Sequence, residues 1–221
     1  MSGPVKRRRV YDSTRRQEQA RDNRVRVLDA ARVRFLLHGY SATTMPAVAS
    51  DAGVSVETVY KAFGNKAGLL KALFDVAIVG DDEPVPLMER EVVTANLAEP
   101  DPRKKLRTYA EFYVDRAARA IPVQLLARGA AATDPAAAAV WQQMLEERLT
   151  GMTHFARHLH EGSYLRAGIT IEEARDVLWT FISAELWELL VINRGWKPER
   201  YGRWMSDMLI AALLPPEPLP G

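Results

Sequence analysis

Apolar residues recur along most of this chain at three- and four-residue spacing, which is the period of a helix and not of a strand. Val27, Leu28, Ala31 and Phe35 form one such stripe, on a first helix expected over about 18–37 that Gly39 ends. Arg21, Arg24, Arg32 and Arg34 fall on its other face. Two short helices follow, about Met45 to Asp51 and Val56 to Phe63, then a longer one from Lys66 to Val79 with Leu69, Leu70, Leu73 and Phe74 inward. Asp81 to Pro86 reads as a linker. Beyond it the pattern predicts a short helix over 87–97 and a helix from Pro102 to about Ala120. Pro122 is expected to break that helix, leaving a short piece over 123–131. Asp134-Pro135 opens a long helix to about His160. Thr170 and Glu173 form a capping box for a helix over 171–193, and Pro198 opens the last one, to about Leu214. The expected fold is all-α: an N-terminal three-helix unit and a C-terminal bundle, about nine helices in all.

The stretch TTMPAVASDAGVSVETVYKAF, Thr43 to Phe63, organises the rest. Ala49 is small enough for the next helix to cross close to it. Gly53 sits where the chain reverses, and glycine adopts a left-handed backbone there at no steric cost. Ser55 can cap the second helix through its hydroxyl. Val59, one turn on, packs back on Val48 and Ala49. This is the pattern of a helix-turn-helix, whose second helix enters the major groove of DNA. An ordinary helical hairpin uses the same turn chemistry.

Composition narrows the picture. At 221 residues and 48% apolar, the chain can bury a sizeable core. It has no cysteine, so disulfides and thiolate metal sites are excluded, in keeping with a cytoplasmic protein. No apolar run reads as a secretory signal or a membrane span. The net charge of +2 hides an asymmetry: Met1 to Arg34 holds eleven Lys or Arg against four Asp or Glu, and the remainder is net acidic. A basic end on an acidic body places the contact with a polyanion at that end. Arg7, Arg8 and Arg9 lie in a basic arm, residues 1–17, expected to be flexible and to reach phosphates or a minor groove.

The run from Arg24 to Phe74 resembles the DNA-binding domain of the TetR family of bacterial transcriptional regulators. The resemblance rests on Val27-Leu28, Ala30-Ala31, Phe35, Gly39-Tyr40, Thr43-Thr44, Val48-Ala49, Ala52 to Ser55, Thr58 to Tyr60, Phe63, and Lys66 followed by Leu69. Lys61 stands where a histidine or another aromatic is common, Val56 where a basic residue or glycine is frequent, and Ala67 where an acid is usual. The first two touch the reading face, so the operator does not transfer. The resemblance implies a DNA-binding domain over 18–64, a connecting helix over 65–80 and an effector-binding, dimerising domain over 81–214, with a proline-rich tail at 215–221. It implies a homodimer on a palindromic operator, released when a small effector moves the two reading heads apart. A repressor is the expected role. An activator, or a DNA binder without an effector, is the alternative.

Candidate residues follow. Phosphate contacts fix register and base contacts set sequence. Thr44, Tyr60 and Lys66 match the family's phosphate contacts. Ser55, Val56, Glu57, Thr58 and Lys61 begin the second helix and are the candidate base readers. Glu57 is read first as a partner of the helix dipole, because near DNA it repels phosphate. Tyr109, Phe112, Tyr113, Trp141, Met144, Phe155 and Trp179 are candidates for an effector pocket, each also a candidate for plain core. They point to a hydrophobic or aromatic ligand. Leu178, Ile182, Leu186 and Leu189, with Trp204 and Met208 on the last helix, are candidates for a four-helix dimer interface. His154 and His158 share a helix face, a spacing that can hold a metal, but a surface pair near a helix end explains them more simply. Ser163 and Ser183 lack any nucleophile motif, so no enzyme, cofactor or metal is assigned.

Overall fold

The computed structural model describes residues 5–216 except Asp82 and Pro84, with side chains from Arg15 onward. Among the described residues it is helical throughout, with no strand. The first helix, α1 (Val5–Ala42), starts well before the expected Glu18. No glycine or proline stands between Val5 and Gly39, and Arg and Gln are good helix formers. Helical backbone thus replaces the expected loose arm from Val5 on. The side chains of Arg7, Arg8 and Arg9, residues 1–4 and most of the tail lie outside the described residues. Gly39 (φ 77°, ψ 171°) interrupts the helical geometry near the end of α1. Tyr40, just after it, stacks on Phe35 with ring centroids 5.8 Å apart.

Helices α2 (Met45–Ala52), α3 (Val56–Phe63) and α4 (Lys66–Val79) follow where the pattern places them. Gly68 is required by packing: a Cβ there would lie 2.2 Å from the Phe63 carbonyl oxygen, so only glycine lets α4 start this close to α3. After a short 3₁₀ turn, Leu87–Glu89, comes α5 (Glu91–Ala98).

The next helix, α6 (Pro102–Ala130), runs through Pro122 where a break was expected. Proline costs a helix interior about 3 kcal/mol. Here Ala120, Ile121 and Val123 on either side are buried, and that burial holds the helix through the lost hydrogen bond. Helix α7 (Pro135–Glu161) opens on Asp134, whose carboxylate accepts from the Ala136 and Ala137 amides.

The long penultimate helix expected over 171–193 is broken. Helix α8 (Ile171–Phe181) stops at Ile182, and α9 (Ala184–Trp187) restarts and continues as a π-helical turn, Glu188–Asn193. Ser183 is the cause: its hydroxyl accepts from the Leu186 amide and begins a new helix. The Tyr201 hydroxyl, on α10 (Pro198–Leu213), donates to the freed Phe181 carbonyl at 2.7 Å.

The apolar residues gather in two cores. One joins α1–α4 to the far end of α6 and to Ala137 and Met144 of α7. The other joins the start of α6 to the end of α7, α8 and α10 around the fully buried Tyr201. Helices α6 and α7 belong to both, so a change of spacing between them can reach α1–α4. No helix of the described residues is long and apolar enough to cross a membrane.

Candidate nucleic-acid interface and internal cavity

The α2–α3 turn is fixed by local chemistry. Thr44 caps α2 by accepting from the Ala47 amide, with Pro46 in the first turn. Gly53 closes α2 at φ 63°, ψ 39°, a left-handed conformation. Ser55 then caps α3 by accepting from the Thr58 amide at 3.1 Å. Val59 and Phe63 hold α3 down by burial. Ser55, Val56, Glu57, Tyr60 and Lys61 are exposed, while Thr58 is half-buried, its hydroxyl 2.8 Å from that of Ser55. Thus α3 presents the Val56 methyls and the Tyr60 ring and hydroxyl to solvent, beside one cation, Lys61. Thr44 is exposed at the start of α2.

Lys66, a candidate phosphate contact, stands at the start of α4. It is half-buried, it donates to the Tyr40 carbonyl at 2.9 Å, and its nitrogen lies 4.2 Å from the centre of the Tyr40 ring. The Tyr40 hydroxyl in turn donates to Asp134 at 2.8 Å. This chain of contacts ties the end of α1 and the start of α4 to the cap of α7. Arg34, from the basic face of α1, is engaged by Asp51 of α2 through two hydrogen bonds. Arg24 lies 5.0 Å from the centre of the Phe63 ring.

A cavity of about 370 Å³ opens between α4, α6 and α7, within the size range of small-ligand sites. Phe74, Asp75, Ile78 and Val79 of α4 form one wall. Tyr109, Tyr113 and Met144, three of the predicted pocket residues, line it. Phe112 and Phe155 line a smaller adjoining space of about 150 Å³. Tyr109 and Met152 border both spaces, and the Tyr109 hydroxyl donates to the Met152 sulfur at 3.2 Å. Trp141 lines neither and packs against the first core. Trp179 lines neither and lies under the Arg148 guanidinium, 4.4 Å away.

Sequence reasoning missed the charged part of this wall: Arg116, Arg148, Asp75 and Glu147. A signal existed. Arg116 falls on the same helical face as Tyr113, Ala117 and Ala120, and Arg148 lies one turn after Met144. A lone arginine within an apolar stripe marks a polar group in a largely apolar site.

Among the expected interface residues, Leu178 and Ile182 require correction: both are buried inside the protomer, in the second core. The break at Ser183 turns the two ends of the expected helix to different surroundings. Leu189 (55% exposed) and Met208 (39%) are open, joined by Ile192 (54%), and Leu186 and Trp204 are half-buried. His158 faces the buried Lys105, Nε2 to Nζ 3.1 Å. That ammonium also donates to the Asn96 and Leu97 carbonyls at the end of α5.

Residues 27–73 match the family model of bacterial regulatory proteins, tetR family. The transcriptional regulator TtgR of Pseudomonas putida is 38% identical over 61 residues, 28% of this chain and 29% of that protein. The chain thus spans, in this match, under a third of its relative's length. Two solved structures resemble it over most of its length. The regulator FadR of Bacillus subtilis in complex with stearoyl-CoA has a TM-score of 0.67 at 19% identity, covering 85% of this chain and 97% of that one. The SmeT–triclosan complex has a TM-score of 0.61 at 22% identity, covering 90% and 99%. The α2–α3 turn chemistry thus lies within the one stretch, residues 27–73, that matches the tetR family of bacterial regulatory proteins.

Proposed function

We propose that the chain is a transcriptional repressor that binds a palindromic operator as a homodimer and releases it when a small molecule fills the α4–α6–α7 cavity. Residues 18–64 would read DNA, 65–80 connect, and 81–214 bind the ligand and pair with a second copy. The observation that carries this reading is the double role of α4. Its first residues are tied to the end of α1 through Lys66 and Tyr40, and its last turns wall the cavity. A ligand that displaces Phe74 and Ile78 therefore moves the helix that holds the reading head. A packed helix shifts as a unit, because cores are not continuously deformable. Resemblance to two ligand-bound structures supports a cavity that takes small molecules.

On DNA, α3 lies in the major groove. Val56 meets thymine methyl groups, Lys61 donates to guanine O6 or N7, and Tyr60 and Thr44 contact phosphates. The second copy docks over Leu189, Ile192 and Met208, apolar residues left open at the end of the bundle. Selection of bound duplexes from a random pool tests the proposal. An inverted repeat held by two chains, with affinity falling steeply as salt rises, is expected. Enrichment of no sequence contradicts it.

A further inference from the structure

The α4–α6–α7 cavity holds charges that an apolar ligand does not use. Arg116 from α6 and Arg148 from α7 both line it. Nε and Nη1 of each guanidinium are closed to solvent and meet no hydrogen-bond partner among the described residues, and Tyr113 lines the same cavity. Their flat faces are covered: Arg116 lies 3.5 Å from the Phe112 ring centre and Arg148 4.4 Å from that of Trp179. Donors leave a guanidinium in its plane, so ring stacking leaves them unanswered.

The acids nearby are already engaged. Lys71 holds both cavity carboxylates, Asp75 at 2.6 Å and Glu147 at 3.1 Å. Asp115 bonds Arg119 at 3.1 Å, and Glu185 sits 3.5 Å from Arg128. Burial pushes Arg116 down to about 10 and also lowers Arg148, yet both stay cationic at neutral pH. Two desolvated cations without a bonded counter-ion are costly, and an acid brought between them removes that cost.

We propose that the cavity takes an amphipathic carboxylic acid, its carboxylate between Arg116 and Arg148 with the Tyr113 hydroxyl as a third donor, and its apolar body against Phe74, Ile78 and Met144. This rests on the cavity being the effector site. It also narrows the ligand: a neutral apolar molecule leaves both forks unpaired, and a cation is repelled.

The test is calorimetric titration of the full chain with matched probes, each below its micelle concentration: decanoate, 1-decanol and decyltrimethylammonium, then 1-naphthoate and 1-naphthol. Each probe is also added to the chain bound to its selected duplex. A hydrogen-bonded charge contributes about 1.5–3 kcal/mol. The acids should therefore bind roughly ten- to a hundredfold more tightly than the matching alcohols, and the ammonium should not bind. Arg116→Gln and Arg148→Gln should abolish the preference for acid while retaining the alcohol, and Arg148→Lys should keep part of it. Should a variant fail to fold, the head-group series on the unaltered chain decides alone. An alcohol that binds as tightly as its acid and releases DNA overturns the acid while leaving the effector reading intact. Tight acid binding that leaves DNA bound supports the acid and overturns the effector reading. No binding by any probe overturns both.

Discussion

At the level of single residues, reading head and cavity are built from opposite uses of the same chemistry. On α3 the polar groups face outward from a buried apolar stripe, as Tyr60 and Lys61 do beside Val59. In the cavity Arg116 and Arg148 face inward among apolar neighbours. Tyr60→Phe removes one hydroxyl of roughly 1 kcal/mol, so affinity for operator and random duplex should fall by the same few-fold factor. Lys61→Ala should instead relax preference at one operator position, worth about 1–3 kcal/mol there. Anisotropy titrations on matched duplexes measure both. Equal loss on operator and random DNA for Lys61→Ala refutes its role as a reader. Lys66→Ala should weaken both duplexes, through the lost tie to Tyr40 as well as the lost charge. Caps and turns such as Gly53, Ser55, Asp134 and Thr170 were legible because each acts on its own next few residues. Lys66 was not. Its partner is Tyr40, twenty-six positions away, and spacing along a helix does not report such a contact.

Among the helices, propensity and packing disagree in two places, and packing decides both. Proline should end α6, yet buried flanks carry the helix through it. Nothing in the apolar period of 171–193 warns of a break, yet the Ser183 hydroxyl and the Tyr201 hydroxyl stabilise one. That break also explains why only part of the expected interface stripe is open. Elsewhere periodicity sufficed, since α2, α3, α4 and α7 carry caps at their predicted starts. The joint between reading head and bundle is Asp134. It accepts from Tyr40 and caps α7, and the Tyr40 hydrogen bond, followed by the two amides, holds its carboxylate below the usual value of 3.8. A lowered folded pKa gives stability that is present above the unfolded value and lost as pH falls through the folded one. Asp134→Asn keeps the acceptor and loses the charge. The variant should melt lower than the parent at pH 7, and the gap should narrow as pH falls below 3.8. A constant gap across that range in thermal unfolding contradicts the assignment.

Across the whole molecule, one helix connects two sites. Helix α4 starts against Tyr40 and ends as a cavity wall, and Lys71 on it bridges to Glu147 of α7. Both cores pass through α6 and α7. Under the proposed function, cavity occupancy and reading-head position are two readouts of one packing state, and the coupling is reciprocal: DNA must weaken the ligand by the factor with which the ligand weakens DNA. The family resemblance of residues 24–74 and the all-helical fold were readable from the motif and the period. The proposed ligand chemistry was not, because Arg116 and Arg148 line one cavity only once α6 and α7 pack. The absence of cysteine allows one label per chain to be placed at will. Exposed Ser50 on α2 suits it. A spin label at Ser50→Cys reports the distance between the two reading heads of a dimer by pulsed electron resonance. With the tightest-binding probe added, the account predicts one inter-head distance that lengthens as the cavity fills and returns on adding operator. A distance that stays constant while the cavity is saturated, or no inter-chain distance at all, would contradict it.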